Sequence, residues 1–191
     1  MAVIDGLRER KRAQSRAVTV DVALGLFAER GYDEVTVADI CAAAQIAPRT
    51  FFRYFATKED VLAEPARDLS ERVAAFITAT PPEVGDAEAL AGALRGLGAY
   101  VIDNQVRLEP FFRVAAEASV GRPHPFLHLS YRERELAELL LRRRSATGAP
   151  DWRTRLTVAR GIASFRVWLA DVVQAAAPRP LEHLDEILAL G

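Results

Sequence analysis

FAERGYDEVTVADICAAAQIAPRTFFRYFATKEDVL, residues 27–62, decides the fold. Thr36 opens a short helix: Thr36-x-x-Asp39 has the form of a capping box, with Asp in place of the usual Glu or Gln. Val37, Ile40, Cys41 and Ala44 recur at helical spacing and make its buried face. After Gln45-Ile46-Ala47, Pro48 stands where a helix begins, since the first helical position has no use for an N–H. That helix is brief, from Pro48 to about Phe55, and Thr57-Lys58-Glu59-Asp60 caps another in the same pattern. Upstream, Val20, Ala23, Leu24, Phe27 and Ala28 stripe a first helix from about Leu7 to Arg30, which Gly31 ends. Three helices within 60 residues, with a tight turn between the second and third, describe a helix-turn-helix.

Working outward, the apolar spacing stays helical and no stretch alternates like a strand, so the class is all-α with about nine helices. Pro65 is expected to kink or restart the fourth helix, and Pro81-Pro82 with Gly85 marks a loop. Leu90, Leu94, Leu97 and Val101 stripe a helix expected to end before Pro110, and a short one follows around Phe111 to Ser119. Gly92, Gly96 and Gly98 lie in a helical pattern that allows close packing; no strand precedes them, which excludes a phosphate-cradling loop. Leu129, Leu136, Leu139 and Leu140 stripe a helix ending near Arg144. A long apolar helix from Trp152 to Ala177 and a final one from Leu181 to Leu190 close the chain. The expected organisation is a helix-turn-helix domain over 1–63 and a larger helical domain over 64–191.

With 191 residues, 50% of them hydrophobic, the chain buries about 70% of its unfolded surface and builds a real core. A net charge of -1 and high apolar content exclude disorder, and the lone Cys41 excludes a disulfide scaffold. No uncharged apolar run is long enough to span a membrane, and MAVIDGLRERKRAQSR lacks the apolar core of a secretory signal, so the expected address is the cytoplasm. Charge is uneven locally: Arg8, Arg10, Lys11, Arg12 and Arg16 face only Glu9 within residues 8–16, a basic arm suited to phosphates.

In a helix-turn-helix the third helix enters the major groove. Phe51 and Phe55, four apart, can anchor it to Val20, Phe27 and Ile40, leaving Arg49, Thr50 and Arg53 on the other side. Arginine forks match guanine edges, and Thr50 can meet a base through its methyl or hydroxyl. Tyr54 and Lys58 are placed to hydrogen-bond phosphates, beside the amino end of the fourth helix.

Residues 27–62 resemble the tetracycline-repressor (TetR) family of one-component regulators in the order and spacing of these features. The resemblance implies a homodimer that binds a palindromic double-stranded DNA operator through its N-terminal domain. It also implies a C-terminal domain whose small-molecule effector releases the operator. By position it implies DNA contacts from Arg16, Thr36, Arg49, Thr50, Arg53, Tyr54 and Lys58. The chain departs from the family at two places: Gln45 stands where the turn usually has Gly, and Ala47 where it usually has Ser or Thr. A left-handed Gln45 costs about 1 kcal/mol, and Ala47 forfeits an N-cap acceptor, also about 1 kcal/mol. These departures give some weight to an alternative, a helical interaction or ligand-carrier module that no longer reads DNA sequence.

The helix from Trp152 has two apolar stripes, and the one of small residues suits a close helix–helix approach. Ala159, Ala163, Ala170 and Val173, with Leu184 and Leu188 of the last helix, are the expected dimer interface. Tyr100, Phe111, Phe112, His128, Tyr131 and Trp168 are candidate lining of an effector pocket, which implies an apolar or aromatic ligand. No cofactor is expected. His124 and His128 are four apart but lack further ligands, His183 has no evident partner, and no acid–base or nucleophile arrangement points to catalysis.

Overall fold

The computed structural model describes residues 2–121, 129–174 and 177–190, with side chains over 9–114, 133–174 and 177–190. Among the described residues all regular structure is helical, in nine elements. These are α1 (Ala2–Arg30), α2 (Val37–Ala43), α3 (Pro48–Tyr54), α4 (Lys58–Ala79) and α5 (Asp86–Asp103), then α6 (Gln105–Gly121), α7 (Leu129–Arg143), α8 (Trp152–Val173) and α9 (Pro180–Ala189). No helix among them is long and apolar enough to cross a membrane.

Proline accounts for most of the differences from the expected boundaries. Pro65 lies inside α4, which runs on to Ala79; only the bond from position 65 to the Val61 carbonyl is lost. Pro110 lies inside α6 and does not precede it: the break falls at Asn104, whose N–H caps the Tyr100 carbonyl at 3.1 Å. α8 stops at Val173, short of Ala177, with Gln174 as its C-cap donating its N–H to the Ala170 carbonyl at 3.1 Å. α1 begins at Ala2, since no proline interrupts the run before Leu7.

The chain forms two compact units, one drawn from 1–66 and 106–122, the other from 67–105 and 123–191. The division thus falls inside α4, slightly beyond the expected residue 63, and α6 groups with the N-terminal helices. Arg107 of α6 donates from Nε to Asp21 of α1 at 2.9 Å. In the first unit the core is made of Val20, Ala23, Leu24, Phe27, Val35, Ile40, Phe51, Phe55 and Val61, all nearly or fully buried.

In the second unit Val73, Ile77, Leu90, Leu94, Leu97, Leu140 and Val158 form one cluster. Close approach of helices is eased by glycine, as at Gly92, where a Cβ would come within 2.9 Å of Phe76 Cε1. A Cβ on Gly161 would come within 2.7 Å of Leu90 Cδ2, and one on Gly98 within 2.7 Å of Leu184 Cδ2. The loop between α4 and α5 is held from a distance. The Arg143 side chain, 2% exposed, donates to the carbonyls of Pro81 and Val84 and pairs with Asp86 at 3.0 Å. Arg144 takes the other Asp86 oxygen at 3.1 Å.

Candidate nucleic-acid interface

The turn that positions α3 forms as its sequence demands. Asp39 N–H donates to Thr36 Oγ1 at 3.2 Å and Thr36 N–H donates to the Asp39 carboxylate at 2.9 Å, so the capping box is complete with Asp as its acidic member. These bonds from Thr36 hold the Asp39 carboxyl below the usual carboxylate range. Gln45 adopts φ +53°, the left-handed conformation that glycine would take freely. Ala47 caps α3 without a side-chain bond, and its carbonyl accepts from Thr50 N–H at 2.8 Å and Phe51 N–H at 3.2 Å.

The seven-residue α3 has two distinct sides. Phe51 is fully buried and Phe55, just past the helix end, is nearly so; their rings are 5.4 Å apart. Pro48, Arg49, Phe52 and Arg53 are exposed, while Thr50 and Tyr54 are half-buried. Tyr54 is oriented by its neighbours. The Ser15 hydroxyl of α1 and Arg53, whose Nη2 donates to the Tyr54 oxygen at 3.4 Å, hold the phenol below its ordinary range.

The three other expected contacts come from outside α3, and their side chains are already engaged. Arg16 forms an ion pair with Glu64 and lies over the Phe55 ring at 5.1 Å. The Thr36 hydroxyl serves the capping box. Lys58 donates from Nζ to the carbonyls of Tyr32 at 2.9 Å, Val35 at 3.0 Å and Asp33 at 3.4 Å, above the Tyr32 ring. Lys58 thereby ties the loop between α1 and α2 to the start of α4. The sequence carries no mark of this role, because the partners are backbone atoms more than 20 residues away.

In the second unit several expected site residues find other places. Leu184 is fully buried, against the Gly98 position, so it cannot face a partner chain, while Leu188 is half-buried with one side packed on the unit's own core. α9 packs on α5 and α8, and Leu184 reaches inward to the space left by the missing side chain of Gly98. Trp168 is likewise core: fully buried, it donates from Nε1 to the Pro180 carbonyl at 2.6 Å. On α8, Ala159 is half-buried, whereas Ala163, Ala170 and Val173 are exposed together with Leu156 and Val167. Tyr100 is half-buried; it donates to Asp68 at 3.1 Å and lies under the Arg72 guanidinium at 3.6 Å. Phe111 is buried and Phe112 half-buried, both in the first unit. His128 lies outside the described residues, as do His124 and the side chain of Tyr131. His183 has a partner after all, Asp171 of α8 at 2.8 Å. Among the described residues no group of three or more His, Cys, Asp or Glu is placed to hold a metal.

Residues 20–64 match the family model described as bacterial regulatory proteins, tetR family. The chain is 32% identical over 160 residues to the HTH-type transcriptional regulator TcmR of Streptomyces glaucescens, covering 81% of this chain and 71% of that one. Two solved structures share its fold. Salmonella enterica GusR superposes with a TM-score of 0.64 at 18% identity over 93% of each chain. A transcriptional regulator of Rhodococcus sp. Rha1 superposes with a TM-score of 0.59 at 18% identity over 92% of each. A completed helix-turn-helix, an exposed basic face on α3 and a relative matched along most of both chains lead to one conclusion: the chain is a member of the TetR family of transcriptional regulators.

Proposed function

We propose that the chain is a repressor that binds a palindromic operator as a homodimer and leaves it when a small apolar or aromatic effector binds. The observation that carries this reading is the two-sidedness of α3: a locked aromatic face behind, and Arg49, Phe52 and Arg53 exposed in front. Arg49, Thr50 and Arg53 would read base edges. Tyr54 would hold a phosphate, with Arg16, Thr36 and Lys58 beside it. For the last three, contact with DNA requires exchanging or sharing their present intramolecular partners.

Dimerisation is supported by the outward face of α8. Leu156, Ala163, Val167, Ala170 and Val173 are exposed at helical spacing, and an apolar stripe of this kind on a monomer marks an interface. Without Leu184 the interface centres on α8, with Leu188 of α9 left at its edge. A symmetric pair would place two copies of α3 about 34–36 Å apart, one DNA turn. An effector preferring another spacing would shift the population off DNA, and by linkage DNA would weaken the effector equally. Within the second unit, Tyr100 with Asp68 and Arg72 is the polar–aromatic group best suited to meet such a ligand.

The test is binding to the DNA upstream of the chain's own gene across a salt series. Sequence-selective binding whose affinity falls linearly in log–log with salt is the expected result. Equal, weak binding to every duplex would reject the reading and favour an interaction or carrier module.

A further inference from the structure

Among the described residues the chain passes between its two units twice, and neither passage is a loop. α4 crosses between Ala66 and Arg67 as one continuous helix. α5 hands over to α6 across a single residue, Asn104, next to the crossing between Gln105 and Val106. A displacement of α4 or α5 is therefore passed on and not absorbed. Beside each crossing, a charged side chain on the first-unit side reaches α1. Glu64 pairs with Arg16, and Arg107 pairs with Asp21 at 2.9 Å, so the polarity is reversed between the two. Five residues along a helix turn about 140° and rise about 7.5 Å, which puts the two grips on different flanks of α1. The start of α6 depends on its grip. Pro110 removes the bond to the Val106 carbonyl, while buried Leu108, Phe111 and Val114 seat the helix in the first unit. α1 in turn packs on α2, and its Ser15 hydroxyl bonds Tyr54 of α3.

We infer that α1 receives the effector signal through these two ion pairs, with Glu64 and Arg107 as positioning residues by which α4 and α6 set how α1 lies against α2 and α3. This deepens the reading of the chain as an effector-released DNA-binding protein and rests on it. Partly exposed ion pairs add little to stability, so either grip can be broken without unfolding the chain. What they supply is direction. Because Arg16 and Asp21 carry opposite charges, α1 cannot exchange one grip for the other, and a roll about its axis strains both. The Glu64 grip also competes with phosphate for Arg16, so a shift of α4 that tightens it withdraws a DNA contact. Coupling between two sites is reciprocal, so DNA engaged by α3 must in turn be felt at the starts of α6 and of the second-unit part of α4.

The experiment uses the full chain and, as the probe, a duplex operator selected by it from random sequence. Amide hydrogen exchange is followed by mass spectrometry with and without the duplex. In the wild type the duplex should slow exchange several-fold over residues 105–112 and 67–73, neither of which touches DNA in the scheme above. Asp21→Asn should keep the free-chain exchange of α6 and an operator affinity within about threefold of wild type, yet lose the slowing over 105–112. Arg107→Gln breaks the same pair from the other side and should behave alike, and Asp21→Arg combined with Arg107→Asp should restore the slowing. Glu64→Gln should lose the slowing over 67–73. Selective binding by the wild type with no slowing, or slowing undiminished in Asp21→Asn and Arg107→Gln, overturns this inference and leaves the regulator reading intact. Faster α6 exchange in the free variants, with the duplex still slowing it, marks the pair as a structural tie and also overturns the inference. Failure of the wild type to select any sequence overturns both.

Discussion

Two connections between helices in this chain are held in opposite ways. The turn from α2 to α3 is fixed by what lies within a few residues of it: the Thr36–Asp39 box, a left-handed Gln45 and the carbonyl of Ala47. The loop from α4 to α5 is fixed from about 60 residues away, by a buried guanidinium from the end of α7. The first arrangement leaves the outward face of α3 free of structural duty. The second makes a charged side chain into a core element. A turn held locally can present a variable surface, whereas a loop held remotely commits the residues that hold it.

The largest effect expected from this contrast is at Arg143. Arg143→Ala strands two loop carbonyls and takes from the Asp86 carboxylate one of its two arginines, and should cost about 3–5 kcal/mol of stability in chemical denaturation. A loss below 1 kcal/mol would mean that the loop holds itself. On the other side, Arg49→Ala or Arg53→Ala should leave the melting temperature alone and cost about 1–3 kcal/mol in operator affinity, relaxing one base position each. If both variants bound like wild type, α3 would not be presenting its readers as inferred. Smaller still are gains at the turn. Gln45→Gly relieves the left-handed strain and Ala47→Ser supplies the missing cap, each worth about 1 kcal/mol of added stability by the same denaturation.

The smallest effect is one of pH. Folding lowers the Asp39 pKa through its bonds with Thr36, so its contribution is complete above the ordinary carboxylate range. It is lost as pH falls through the lowered value. Asp39→Asn should therefore flatten the acid limb of the stability curve from the ordinary carboxylate range, about pH 4 to 5, downward, and leave it unchanged near neutral pH. An unchanged acid limb would show that the box adds nothing there.

The same contrast explains what could be read from the sequence. Caps, turn residues and the spacing of Phe51 and Phe55 are local, so the helix-turn-helix and the exposure of Arg49 and Arg53 were legible before any coordinates. The apolar stripe of α9 was equally visible, but periodicity says that Leu184 is buried without saying by which chain; Gly98 and Trp168 decide that. Arg143 stood within Arg142-Arg143-Arg144, where nothing distinguishes the buried arginine from its neighbours. His183 and Asp171 meet only because α9 folds back on α8. Proline misled for a related reason. At Pro110 the missing bond falls near the start of a helix that tertiary packing sustains.

Lysine is scarce in this protein, with Lys11 and Lys58 its only two. Since the Lys58 ammonium is shared among three carbonyls and the Tyr32 ring, amine-directed acylation of side chains should favour the exposed Lys11. That gives a natural attachment point for a fluorophore on the basic stretch of α1, from which DNA engagement can be followed without introducing a cysteine.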